Sequence, residues 1–258
     1  MTKRQGQPPG ATCRLFSRRC LWSFSFVVTS ACTRSTRNQK KRSPAMKTYH
    51  PRANDEGAAV ELKQPHQPTA LTTWDNRHQL ATVTPDSPMP AAVAGLAIAA
   101  WATAPTSNAG WKQLAAAMAF DEPPMKTAPG RLPASGAVVV EPDGRVWAVS
   151  PSNCFGGYAN TFPKGKNDLA QALCLRANAL KEVFEEAGLE VELTGFLCDS
   201  VRSTSVTRYY LARRLGGNPA EMCWESQAVH LVPAAQLAAF VSHPNDQVIL
   251  AALQNVTL

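Results

Sequence analysis

Residues 180–193, LKEVFEEAGLEVEL, place Glu182, Glu185 and Glu186 within one and a half helical turns and follow them with Gly188, a natural helix stop. Carboxylates in a last turn oppose the helix dipole at about 0.3–1 kcal/mol each. Like charges three or four apart add about 0.2–0.5 kcal/mol per pair. A domain is stable by only about 5–15 kcal/mol, so an uncompensated cost of this kind marks a place to look for function.

At about 100° per residue, the three acids fall within roughly 100° of arc. Ala177, Leu180, Val183, Phe184 and Ala187 form the opposing apolar face. Clustered carboxylates on a rigid element suit a hard divalent cation, with Mg²⁺ typically sharing its shell with substrate phosphates. An ordinary Glu-rich solvated face has the same charge pattern. Upstream lies FPKGK, residues 162–166, in a loop whose lysines and glycine can approach phosphate oxygens. It can equally be a solvated turn. GxxxxGK[ST] and GxSxG are both absent, as is a GxGxxG following a strand, which disfavours those nucleotide-binding and hydrolase designs.

These residues resemble the Nudix hydrolase family. Its box is a Gly, five residues, Glu, seven residues, then Arg-Glu-aliphatic-any-Glu-Glu-any-Gly-aliphatic. KEVFEEAGL, residues 181–189, matches the second half with Lys181 for Arg, and Gly165 stands at the loop glycine. Fifteen residues separate Gly165 from Lys181 where the box has thirteen. Its first Glu is missing: counting forward from Gly165 reaches Gln171, and counting back from Lys181 reaches Leu173. The insertion is expected around 167–170, with Asp168 as a partial substitute. The resemblance covers about residues 131–256.

It implies an α/β fold, a Nudix-like α/β/α sandwich with a mixed sheet. It also implies Mg²⁺ (or Mn²⁺) held by Glu182, Glu185 and Glu186, with Glu182, Glu185 and Glu225 as catalytic residues. Lys181, Gly165 and Gly188 support them, and Lys164, Lys166 and Arg208 are candidate phosphate contacts. Glu225 can equally be a loop acid beside Trp224, and Arg208 an exposed strand charge. The implied reaction cleaves a phosphoanhydride in a nucleoside diphosphate linked to another group. Dinucleoside polyphosphates, diphosphoinositol phosphates and ADP-ribose are the candidate substrates. The missing Glu leaves open a Nudix-like domain that binds without turnover.

The elements that must position these residues are legible from Ser135 onward. SGAVVVEPDGRVWAVSP is a hairpin about an Asp-Gly turn. A helix is expected from near Asp168 to Ala187. VELTGFLCDSVRS, SVTRYYLARRL and AVHLVP read as strands, and AAQLAAFVS and NDQVILAALQNV as helices. Residues 131–258 therefore form the expected catalytic domain, and residues 55–130 an N-terminal extension of loops and short elements. Within the extension, AGWKQLAAAMAF reads as a short helix. AAVAGLAIAAWA, residues 91–102, reads as buried core, too brief for a membrane span.

The formal charge is +7, but twelve of the 26 basic residues precede the first acid, Asp55. Residues 55–258 hold 14 basic against 19 acidic residues, so a nucleic-acid surface on the folded part is not expected. Residues 1–54 read as a basic disordered tail or a mis-extended start. RRCLWSFSFVVTSAC, residues 18–32, fits a signal or lipoprotein-like segment, a transit peptide, or sequence upstream of a true start at Met46. Seven scattered cysteines without a CxxC, and five histidines without zinc spacing, suggest reduced thiols. The expectation is a cytoplasmic enzyme without stable membrane insertion, acting on a phosphorylated small molecule. A homodimer is left open.

Overall fold

The computed structural model describes residues 47–126, 128–167 and 173–256. The basic tail to residue 46, with its apolar run, lies outside them, as do Asp168 and Gln171. In chain order the strands are β1 (Thr48–Tyr49), β2 (Glu61–Leu62), β3 (Ala81–Val83), β4 (Ala92–Val93), β5 (Leu96–Ala97), β6 (Leu132–Val140) and β7 (Val146–Pro151). They continue with β8 (Lys164–Lys166), β9 (Leu189–Val201), β10 (Ser205–Gly217) and β11 (Ser226–Val232). The α-helices are α1 (Asn108–Ala116), α2 (Leu175–Ala187), α3 (Ala234–Phe240) and α4 (Gln247–Leu253).

The main sheet runs β3-β11-β7-β6-β10-β9, with β8 also paired to β6. β6 and β10 are parallel and the other neighbours antiparallel, so the sheet is mixed. The β6–β7 hairpin turns through Pro142-Asp143-Gly144, where Gly144 takes φ 83° and Glu141 N–H donates to the Arg145 carbonyl at 2.9 Å. Alternation along these strands feeds two cores. Ala137, Val139, Trp147 and Val149 pack with α1 and α2, whereas Val138, Val146, Ala148 and Tyr209 pack with α3 and α4. Helices thus cover both faces of the sheet, an α/β/α arrangement.

Residues 55–130 do more than flank the sheet. β3 adds an edge strand beside β11, with Val83 opposite Val229. α1 lies on α2, where Trp101 and Trp111 pack around Phe184 at ring separations of 5.4 and 5.9 Å.

Three local expectations are corrected. Residues 91–102 are not a buried run but a small β4–β5 hairpin, turned by Ala94 (φ 50°) and Gly95 (φ 80°), in which only Val93 among the four strand residues is buried. FPKGK is not all loop: its last three residues form β8 against β6. The helix starts at Leu175 rather than near Asp168, with Cys174 at its N-cap. Two of the five histidines, distant in sequence, do meet: the rings of His66 and His230 have centroids 5.4 Å apart and share the Ser150 hydroxyl.

Candidate functional site

α2 stops where the sequence requires. Gly188 adopts the left-handed conformation (φ 65°), and its N–H donates to the Phe184 carbonyl at 2.8 Å. A Cβ there would fall 2.3 Å from the Asn218 carbonyl oxygen, so the glycine is needed for both conformation and close approach. Ala177, Leu180, Val183 and Ala187 fill the core below.

The flank carrying the acids is not open solvent. Asn178, Glu182 and Glu186, spaced four apart, form a row that lies buried along β8. The Asn178 amide donates to the Ser135 hydroxyl at 3.0 Å and to the Gly165 carbonyl at 3.3 Å, and so ties β8 to the helix. The Lys164 backbone N–H donates to Glu186 Oε2 at 2.9 Å. Glu182 packs on Gly165 so closely that a Cβ there would lie 2.1 Å from its Oε2. The glycine of FPKGK therefore makes room for a carboxylate of α2.

A third acid closes the group from another element. Glu225, on the loop before β11 and partly open to solvent, brings a carboxylate oxygen to Glu182 and Glu186, all three within 4.8 Å of one another. Its loop is fastened to α2 by Cys223 N–H donating to the Glu185 carbonyl at 2.7 Å. It is fastened to the turn after β7 by Ser152, whose N–H donates to the Glu225 carbonyl at 2.8 Å and whose hydroxyl donates to that of Trp224 at 2.6 Å.

The electrostatics are those of a site short of positive charge. Burial, and then the charges of Glu186 and Glu185, push Glu182 well above the usual carboxylate range. Burial pushes Glu186 up to about 7, opposed by the Lys164 charge and N–H. Burial and the neighbouring Glu185 and Asp55 raise Glu225. Burial pulls Lys181 down, but its bond to Glu185 and the surrounding carboxylates outweigh this and hold the ammonium above its ordinary value.

A divalent cation fits this donor set. An octahedral Mg²⁺ with oxygens at about 2.1 Å places ligands about 3–4 Å apart. Oxygens already within 4.8 Å need only a small closure to reach that geometry. Two lysines, Lys164 and Lys181, face four carboxylates, leaving negative charge for a cation to neutralise.

The expected trio is thus reassembled. Glu182 and Glu186 stand together, and the third close carboxylate is Glu225, which the resemblance placed among the catalytic residues and not among the metal ligands. Glu185 turns to Lys181, with Oε2 2.5 Å from Nζ, and stands outside the close group. Lys164 is half-buried with Nζ 5.0 Å from the Tyr158 ring centroid, and Lys166 is exposed.

Arg208 is corrected outright. It is neither an exposed charge nor free for phosphate: it is buried, with Nε and Nη2 donating to both oxygens of Asp199 and Nη1 to Glu122 and the Pro123 carbonyl. Its partners come from β9 and from the segment after α1, so it locks that segment to the sheet.

No family model matches the sequence, and no curated protein matches it. Solved structures do resemble about half of it. A UDP-X diphosphatase is 18% identical over 51% of this chain and 66% of that one, with a TM-score of 0.39. A C. elegans Ap4A hydrolase is 16% identical over 47% and 95%, at 0.40. The NUDIX domain of Shewanella oneidensis NrtR, complexed with ADP ribose, is 22% identical over 54% and 94%, at 0.40. The ligands and activities so named are those of these other proteins.

Asn178 carries no chemical motif of its own in the sequence. Its position one turn before Glu182 on the same row was the available signal. Asp55, whose carboxylate accepts from Trp224 Nε1 at 3.1 Å beside Glu225, had none.

Proposed function

We propose that this chain is a divalent-cation-dependent hydrolase that cleaves a phosphoanhydride bond in a nucleoside diphosphate linked to another group. The observation that carries this is the convergence of Glu182, Glu186 and Glu225 within 4.8 Å, two of them buried. The resemblance of residues 181–189 to the second half of the Nudix box supports the same reading.

On this reading Glu182, Glu186 and Glu225 hold Mg²⁺ or Mn²⁺. When bound, such a cation neutralises diphosphate charge and makes a water more acidic. The chain supplies the rest. Gly165 and Asn178 fix β8 against α2, so the acids are placed before substrate arrives. Glu225, the most open of the three, has a second carboxylate oxygen that can accept a proton from an attacking water. Lys164 and exposed Lys166 meet the phosphate oxygens, Lys164 from half-buried surroundings where its charge is less screened. Lys181 restrains Glu185. The substrate is a phosphorylated small molecule, and the setting proposed is the cytoplasm. No helix among the described residues is long and apolar enough to cross a membrane.

One observation favours a domain that binds without turnover. Counted back from Lys181, the position of the box's first Glu holds Leu173, a buried apolar residue. A panel of dinucleoside polyphosphates, diphosphoinositol phosphates and ADP-ribose, with Mg²⁺ or Mn²⁺, separates the two. The hydrolase reading expects metal-dependent product release that Glu186→Gln lowers by at least about a hundredfold. Ligand binding with no turnover by wild type establishes the other.

A further inference from the structure

Residues 47–63 lie outside the part of the chain that resembles a known family, yet they grip both the Glu225 loop and the turn after β7 that is bonded to it. The segment folds back on itself through β1 and β2, with His50 N–H donating to the Val60 carbonyl at 2.8 Å. On one side it holds Asn153: the Lys63 N–H donates to the Asn153 side-chain oxygen at 2.9 Å, and the Asn153 amide donates to the Glu61 carbonyl at 2.7 Å. These two bonds secure a residue in the left-handed region (φ 57°), one position after Ser152, which binds the Glu225 carbonyl. On the other side it holds the Glu225 loop itself. Trp224 Nε1 donates to Asp55, and His50 Nε2 donates to the Ser226 carbonyl at 3.1 Å.

His50 is the buried member of this clamp. Its Nδ1 faces both the Arg52 N–H at 3.0 Å and the Arg52 carbonyl at 3.1 Å, and because the Ser226 carbonyl can only accept, the Nε2 that contacts it carries a ring proton. The ring thereby fixes the backbone position next to Glu225. Three of the four strap contacts use backbone groups of the strap or the loops, so they set the path of the chain and not merely the pose of a side chain.

We propose that the strap of residues 47–63 is a positioning element of the site, and that His50 is its key residue, holding Glu225 against Glu182 and Glu186. The inference rests on Glu225 being a cation ligand. His50 touches no reacting group and acts only through the backbone at Ser226.

The test is Mn²⁺ titration of the full chain as wild type, His50→Ala, Glu225→Gln and the double variant, each checked for folding by circular dichroism. Outer-shell changes typically weaken metal affinity about 10–100-fold. The strap predicts a loss near the lower end, about tenfold, for His50→Ala. It predicts no further loss when His50→Ala is added to Glu225→Gln. His50→Gln, which keeps a donor where Nε2 stands, recovers most of the affinity. Amide exchange at residues 223–226, measured without metal, becomes faster in His50→Ala alone. If wild type binds Mn²⁺ and His50→Ala binds it equally well, or loses the same factor in both backgrounds, the strap inference is overturned and the hydrolase reading stands. A folded wild type that binds no Mn²⁺ overturns both.

Discussion

Gly165 and Glu182 are in contact where a Cβ cannot fit: a methyl at residue 165 would lie 2.1–2.3 Å from all three atoms of the Glu182 carboxyl group. Gly165 is not in a left-handed conformation, so Gly165→Ala is a steric probe and little else. The carboxylate, as the movable end of a side chain, swings out of the group. We expect activity to fall about 10–100-fold while the melting temperature changes little. Steady-state kinetics beside thermal unfolding checks this. An unimpaired Gly165→Ala removes Glu182 from the site.

Glu185 and Glu186 are neighbours with different duties. Glu186 is buried and joins the close group, whereas Glu185 is half-buried and held by Lys181. Glu186→Gln should therefore cost at least about tenfold more in kcat than Glu185→Gln. Equal losses in the two variants would return Glu185 to the ligand set.

Arg208 gives a prediction of opposite kind. Its removal leaves the Asp199 carboxylate buried and deprives Glu122 of a partner, although Arg176 still binds Glu122. Breaking a buried pair by removing one member costs about 3–5 kcal/mol. Arg208→Met should lower the urea midpoint accordingly, with the remaining folded protein keeping its KM. A selective rise in KM without loss of stability would restore the phosphate-contact role.

The acidic group also makes stability depend on pH. Glu182 and Glu186 have folded-state proton affinities above those of an unfolded chain. Their contribution is therefore fully present below about pH 4.3, the ordinary Glu value, and is lost as pH rises through about 7 for Glu186. Buried His230, depressed to about 3, acts in the opposite sense, since charging it destabilises the fold as pH falls below about 6.5. The difference between wild type and Glu186→Gln isolates the acid. In metal-free buffer, unfolding free energies should show the variant gaining on wild type between pH 5 and pH 8, by on the order of 1–3 kcal/mol. Saturating Mn²⁺ should reverse that gain. A pH-independent difference contradicts the assigned burial.

What the sequence displayed and what it hid follow one physical rule. A period near 3.6 told which residues of α2 share a side, and Gly188 told where the helix stops. The Asp-Gly turn announced the β6–β7 hairpin. A period cannot tell what covers the second flank, so the burial of Glu182 and Glu186 under β8 was not visible. Nor was β8, whose three residues KGK carry neither alternation nor β-branched side chains and owe their extended form to pairing with β6. The Arg208 pairing with Glu122 joins residues 86 apart, and His50 reaches Ser226 across 176. Contacts of that range are made by topology, and no local pattern encodes them.

The central claim is a cation between three named carboxylates, and a crystal of the full chain soaked in Mn²⁺ tests it most directly. The account predicts an anomalous-scattering peak bounded by Glu182, Glu186 and Glu225, absent from crystals of Glu186→Gln. A peak elsewhere, or none at millimolar Mn²⁺ with the three side chains unmoved, contradicts it.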